Sequence, residues 1–145
     1  MLRVVFDAPP SSYDMTTSHE PEVLIGGGGM VGLTLALALA QGDLSVTVVD
    51  PLAKPTMLDE AFDGRVSALS YAVVRMFRVL GVWQHLEADV QPIRDILVSD
   101  AALDSRPSPF TLHFDHREIG EPMGAIAENR HIRRALFAAM EAIHN

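Results

Sequence analysis

The stretch from Glu22 to Asp50, "EVLIGGGGMVGLTLALALAQGDLSVTVVD", restricts the fold more than any other part of the 145-residue chain. Val23 to Ile25 is a short apolar run that ends in glycines, the pattern of a buried parallel strand. Met30 to Gln41 reads as a helix. Leu33, Leu35, Leu37 and Leu39 alternate at the period of a strand, but the intervening alanines make every face apolar and propensity favours helix. Gly42 stops it. Leu44 to Val49 is rich in β-branched residues and ends at Asp50-Pro51, so it reads as a second strand. Strand, glycine loop, helix and strand in so short a span make a βαβ unit, whose right-handed crossover sets the strands parallel.

Four consecutive glycines allow one register of G-x-G-x-x-G: Gly27, Gly29 and Gly32, because a start at Gly26 would put Val31 in the last place. The first glycine permits a tight turn, the second lets a pyrophosphate approach the backbone, and the third lets helix pack on strand. Phosphates would sit over the unpaired amides of the helix N-terminus, so Met30 and Val31 join the candidate site, with Gly28 as the variable residue between the first two glycines. Asp50 lies near the separation of about 20 residues at which a carboxylate accepts ribose hydroxyls, and its charge would repel a 2′-phosphate. On this reading Asp50→Ala weakens nucleotide binding without unfolding the protein.

Elsewhere the pattern is less regular. Residues 1–21 form a loop-rich leader, with Pro9 to Glu22 as loop; Met15 is an alternative start, and Leu2 to Phe6 is alternatively an added edge strand. Pro51 to Asp63 reads as loop. Arg65 to Leu80 reads as a helix ended by Gly81, with Leu69, Val73, Met76, Phe77 and Leu80 at helical spacing. Trp83 to Val90 is a short helical piece, and Met76, Phe77 and Trp83 are assigned to the core. Ile93 to Asp100, Phe110 to Asp115 and Gly124 to Glu128 are strands. A final helix runs from Arg130 to Ile143, with Asn129 as its N-cap. The resulting division is 22–91 for the nucleotide-binding part, 92–128 for a partial second layer, and 129–145 for a returning helix. Alternating, half-exposed strands where a third parallel strand would normally follow favour a flavin over a free nicotinamide.

Several functions are excluded. No cysteine is present, which removes disulfides, thiolate catalysis and cysteine-ligated metal. A net charge of −8 argues against nucleic acid as a partner. The longest apolar run, Met30 to Ala40, is far shorter than the ~20 residues of a membrane-spanning helix, and the N-terminus lacks the features of a secretory signal. His113 and His116, three apart on an expected strand, would point to opposite faces, so no metal site is assigned. There is no G-x-S-x-G and no P-loop lysine. "REIGEP" reads as a turn.

Four segments, "EVLIGGGGMVGLTLALALAQ" with "VTVVD", "DGRVSALSYAVVRMFRVLGVW", "QPIRDILVSD" and "IAENRHIRRALFAAM", resemble in order the ubiquinone-biosynthesis ring hydroxylases, class A flavin monooxygenases similar to para-hydroxybenzoate hydroxylase. The resemblance implies an α/β fold: a Rossmann-like FAD-binding βαβ unit with an inserted partial β layer, truncated relative to the family, whose later Gly-Asp motif is missing here. It implies FAD as cofactor and NAD(P)H as electron donor for hydroxylating an aromatic quinone precursor, with no catalytic acid or base in the chain. It implies a cytoplasmic location, peripheral to the inner membrane, with other ubiquinone-biosynthesis proteins as partners. By position, Gly27, Gly29 and Gly32 match the pyrophosphate cradle and Asp50 the ribose acid. Arg65 matches an arginine near the FAD phosphates, and Asn129 and Arg133 match positions near the ribityl-phosphate. The family carries an apolar residue where Gly26 stands, so the strand end is expected to lose a buried side chain. Two alternatives stay open: a nicotinamide-dependent oxidoreductase, or a truncated nucleotide-binding product without activity.

Overall fold

The computed structural model describes residues 1–6, 20–58, 61, 64–100 and 110–143. The expected loop at Pro9 to Glu22, apart from its last residues, and the alternative start at Met15 lie outside them. The fold is mixed α/β, with two three-stranded sheets and one two-stranded ribbon among the described residues.

The first sheet is parallel. Strands β1 (Leu2–Phe6), β2 (Val23–Gly26) and β3 (Val46–Asp50) lie in the order β1-β3-β2. Helix α1 (Met30–Gln41) connects β2 to β3, as propensity favoured over the strand-like alternation of its leucines. It buries Leu33, Ala36, Leu37 and Ala40, which recur at helical spacing, against Ile25, Val46 and Val48. Val31 and Leu35 are exposed, whereas Met30 and Leu39 pack against the core's margin, so the alternating leucines lie on more than one side of one helix. Gly42 donates to Ala40 O and Leu39 O and ends α1 where expected.

Part of the leader is therefore structural. β1 pairs with β3 from Leu2↔Val46 to Phe6↔Asp50, and Leu2 is only 1% exposed. Burying that leucine contributes about 1.5–3 kcal/mol. Among the described residues, only one face of the parallel sheet is covered. On the other, Leu24 is 68% and Val49 43% exposed, beside Gly26. The expected loss of a buried side chain at Gly26 is thus corrected: Gly26 is exposed, and a Cβ there would meet nothing within 4 Å.

The second sheet is antiparallel, in the order β4-β8-β5, from β4 (Val66–Ser70), β5 (Val90–Ile93) and β8 (Gly124–Glu128). It straddles the expected boundary at residues 91 and 92. The helix expected over Arg65 to Leu80 is corrected: its first turn is strand β4, and helix α3 spans only Tyr71–Val79. Ser70 marks the change, its hydroxyl accepting from Val73 N at 3.4 Å. Pairing of β4 with β8 overrides the helical spacing that began at Leu69. Phe77 is buried and Trp83 packs against the core, whereas Met76 is exposed. Within the expected loop Pro51 to Asp63, a single helical turn forms, α2 (Lys54–Met57). Trp83–His85 and Glu87–Asp89 are the two short 3-10 pieces expected as helical structure.

Strands β6 (Asp95–Ser99) and β7 (Thr111–Asp115) form the ribbon, in which Ile96 opposes Phe114 and Val98 opposes Leu112. Helix α4 (Asn129–Ile143) buries Ile132, Ala135, Leu136, Phe137, Ala139 and Met140, and packs on both α1 and β8. No described helix is long and apolar enough to cross a membrane.

Candidate functional site

The glycine loop runs from the end of β2 into α1. Gly27 has φ 106°, a left-handed region that side chains avoid, and its amide donates to Val49 O at 2.8 Å. It therefore makes the turn out of the strand. Gly32 faces the loop from the first turn of α1, where an added Cβ would lie 1.9 Å from Gly27 O. No side chain fits there. Gly29 caps α1 in extended conformation, and a Cβ there would meet nothing within 4 Å. The three glycines thus differ physically: Gly27 makes a turn, Gly29 leaves its backbone open and Gly32 is closely packed.

The first intrahelical bond joins Leu33 N to Gly29 O, so the amides of Met30, Val31 and Gly32 precede any i−4 partner. Val31 is 85% exposed and Met30 packs against the core. No acidic side chain occupies the first turn of α1. No side chain of that turn itself therefore offsets the positive end of the helix dipole.

Asp50 is buried, with 9% exposure. Its Oδ2 accepts from Gly28 N at 2.6 Å and its Oδ1 from Leu52 N at 2.8 Å. The carboxylate ties the loop to the end of β3, and each oxygen keeps one further lone pair. Gly28 is not freely variable, contrary to the sequence reading. A Cβ at Gly28 would sit 3.2 Å from Asp50 Cβ and 3.5 Å from Met57 Cε, because the short bond to Asp50 draws the two backbones together.

Met57, on α2, was not singled out by sequence. It is buried, closes on the loop at Gly28, and through its carbonyl accepts from Arg133 Nε at 3.0 Å. Lys-Pro at the start of that turn was the available signal, since Pro suits the first helical positions. Gly28, Asp50, Met57 and Arg133 thereby form one chain of contacts. Arg65 and Asn129 form a second cluster: Asn129 N donates to Arg65 O at 3.1 Å, and Asn129 Oδ1 accepts from Ser67 Oγ at 2.6 Å. Asn129 is the first residue of α4, and its side-chain oxygen is engaged with Ser67. Asn129 and Arg133 lie one turn apart on α4, on the same face.

The histidines depart from expectation in one respect. His116 opens a 3-10 turn, so the alternation of a strand does not apply to it. Asp95, Asp115 and His116 each bring a donor atom within 4.8 Å of the others. Asp115 is already clasped by Arg117, whose guanidinium and backbone amide hold the carboxyl well below the usual carboxylate range.

No protein-family model matches the sequence. The chain is 39% identical over 136 residues to ubiquinone hydroxylase UbiL of Rhodospirillum rubrum, covering 92% of this chain and 30% of the relative. It is 37% identical over 131 residues to 3-demethoxyubiquinol 3-hydroxylase of Escherichia coli, covering 87% of this chain and 32% of that enzyme. Among solved structures, the peptidyl tryptophan dihydroxylase QhpG, essential for tryptophylquinone cofactor biogenesis, superimposes with a TM-score of 0.52 at 20% identity. That match covers 86% of this chain and 24% of QhpG. At that identity the likeness is one of fold. The sequence relatives are enzymes, and this chain spans about a third of their length. The chain is thus homologous to ubiquinone-biosynthesis hydroxylases over about a third of their length.

Proposed function

We propose that the chain is the FAD-binding portion of an NAD(P)H-dependent aromatic-ring monooxygenase acting on a quinone precursor in ubiquinone biosynthesis. The observation that carries this reading is the open backbone at Gly29 and the first turn of α1, set beside the buried carboxylate of Asp50. A pyrophosphate needs amides it can approach closely and a helix whose first turn carries no acidic side chain. Both conditions are met here. Asp50 retains acceptor capacity for ribose hydroxyls after binding Gly28 and Leu52. These features support a Rossmann-like reading of the unit as a dinucleotide site.

Gly27, Gly29, Met30, Val31 and Gly32 would hold the pyrophosphate, and Asp50 the adenosine ribose. Gly28 would shape the loop against Asp50. Arg133 would support the site through Met57, while Arg65 and Asn129 would stand towards the flavin side. The bound flavin would supply the redox and oxygen chemistry, and this chain's residues would supply binding and orientation.

Equilibrium titration of the purified chain with FAD and with NAD, followed by fluorescence, tests the assignment. FAD is expected to bind and NAD not to. Binding of NAD alone would replace this reading with that of a nicotinamide-dependent oxidoreductase. Gly29→Val gives a sharper test, because open space surrounds that position in the protein itself. The variant is expected to keep the thermal stability of the parent to within about 0.5–1 kcal/mol, the order of glycine backbone effects, and to lose FAD binding. Retained FAD binding would show that the pyrophosphate does not approach at Gly29.

A further inference from the structure

β1 occupies a place in the parallel sheet that its position in the chain does not predict. In a doubly wound nucleotide-binding half, three parallel strands lie in the order 3-2-1, and the third is reached by a second crossover helix after the second. Here β2 is the first strand of that unit and β3 the second. The slot on the far edge of β3 belongs to the third strand, yet β1 fills it, coming from before the unit. α4 packs against α1.

The pairing is specific. Val46 N donates to Met1 O at 2.8 Å, and the register runs without interruption to Phe6↔Asp50. Since peptide groups alternate sides along a strand, that bond turns the backbone of Arg3 and Val5 toward β3, and the amides of Val46, Val48 and Asp50 toward β1. The amides of Thr47 and Val49 then face β2, in agreement with the bond from Gly27 N to Val49 O. β3 is therefore held by β2 as far as Val49 and by β1 to its last residue, Asp50, whose carboxylate binds the glycine loop.

We propose that β1 is the third strand of the nucleotide-binding sheet, supplied from the N-terminal side, and that its pairing with β3 positions Asp50 for the ribose. The second half of this statement rests on the proposed function; the first half does not. Arg3 is exposed, so Arg3→Pro removes a ladder donor without removing a core side chain, and Arg3→Ala is its control.

Hydrogen exchange on the full 145-residue chain tests the strand. In the parent, the amides of Val46, Val48 and Asp50 are expected to be protected like those of Thr47 and Val49. Rapid exchange confined to Val46, Val48 and Asp50 in the parent would overturn the proposal without any variant. In Arg3→Pro, those three are expected to lose protection while Thr47 and Val49 keep theirs, and equal protection in both proteins would overturn the ladder assigned here. FAD titration tests the positioning. Arg3→Pro is expected to weaken FAD binding by about tenfold or more, and Arg3→Ala by less than about twofold. Unchanged affinity in Arg3→Pro with lost protection would overturn the positioning role. A parent that binds no FAD would overturn the positioning role and the proposed function together, leaving the strand assignment to be decided by exchange alone.

Discussion

Gly32→Ala is expected to destabilise the chain by about 1–3 kcal/mol or more, and with it to abolish nucleotide binding. The added methyl would stand 1.9 Å from Gly27 O and 3.1 Å from Gly27 C, both backbone atoms. No rotamer change relieves such a clash. The loop must lift from α1, and Gly27 N then loses its bond to Val49 O. Thermal unfolding of the ligand-free protein measures the effect, which for a domain of this size is a fall in Tm of several degrees per ~1–2 kcal/mol. Gly29→Ala, in open space, serves as the control. A Gly32→Ala protein as stable as its parent would show that the loop can retreat at no cost, and the role of close packing would be wrong.

Asp50→Ala carries the second large effect, and here the structure revises what sequence alone suggests. The substitution was expected to weaken binding only. Asp50 in fact accepts from two backbone amides while itself 9% exposed. Its removal leaves Gly28 N and Leu52 N without their partner, at about 1–3 kcal/mol for each amide that water cannot reach. Urea denaturation of the ligand-free variant is therefore expected to shift to a lower midpoint, before any ligand is considered. Asp50→Asn, which retains one carbonyl oxygen, should fall between the two. A midpoint equal to the parent's would show that water replaces the carboxylate, restoring the simpler role.

The βαβ core was legible because its signals are local and agree with one another: an apolar strand, glycines in one workable register, an all-apolar helix, and a β-branched strand ending in an acid. The start of α3 was not legible. Leu69 continues a helical spacing that Val73, Met76, Phe77 and Leu80 define, and only pairing with β8, more than fifty residues on, makes Val66–Ser70 a strand. Gly124 records that pairing, since a Cβ there would lie 2.1 Å from Leu69 O, but nothing in the sequence says which strand it must approach. The same limit applies within the site. The fingerprint assigns Gly27, Gly29 and Gly32, whereas Gly28 depends on contacts with Asp50 and Met57 that spacing cannot express. Met57 enters through tertiary contact alone, with Arg133 reaching it from α4.

The ribbon of β6 and β7 has a different consequence. Its strands bury no side chain fully, and Arg94 and Arg117 flank it together at the end where Asp95 pairs with Asp115. A segment held mainly by its own ladder opens without the rest of the molecule. Trypsin should therefore nick the folded chain at these arginines at a rate set by local opening, and a variant such as Gly32→Ala, weakened elsewhere, should be nicked there no faster. If cleavage at Arg94 and Arg117 instead accelerates in step with global instability, the ribbon and the core unfold as one cooperative unit. The ribbon is on this view the proteolytic hinge of the chain, separate in stability from the nucleotide-binding half.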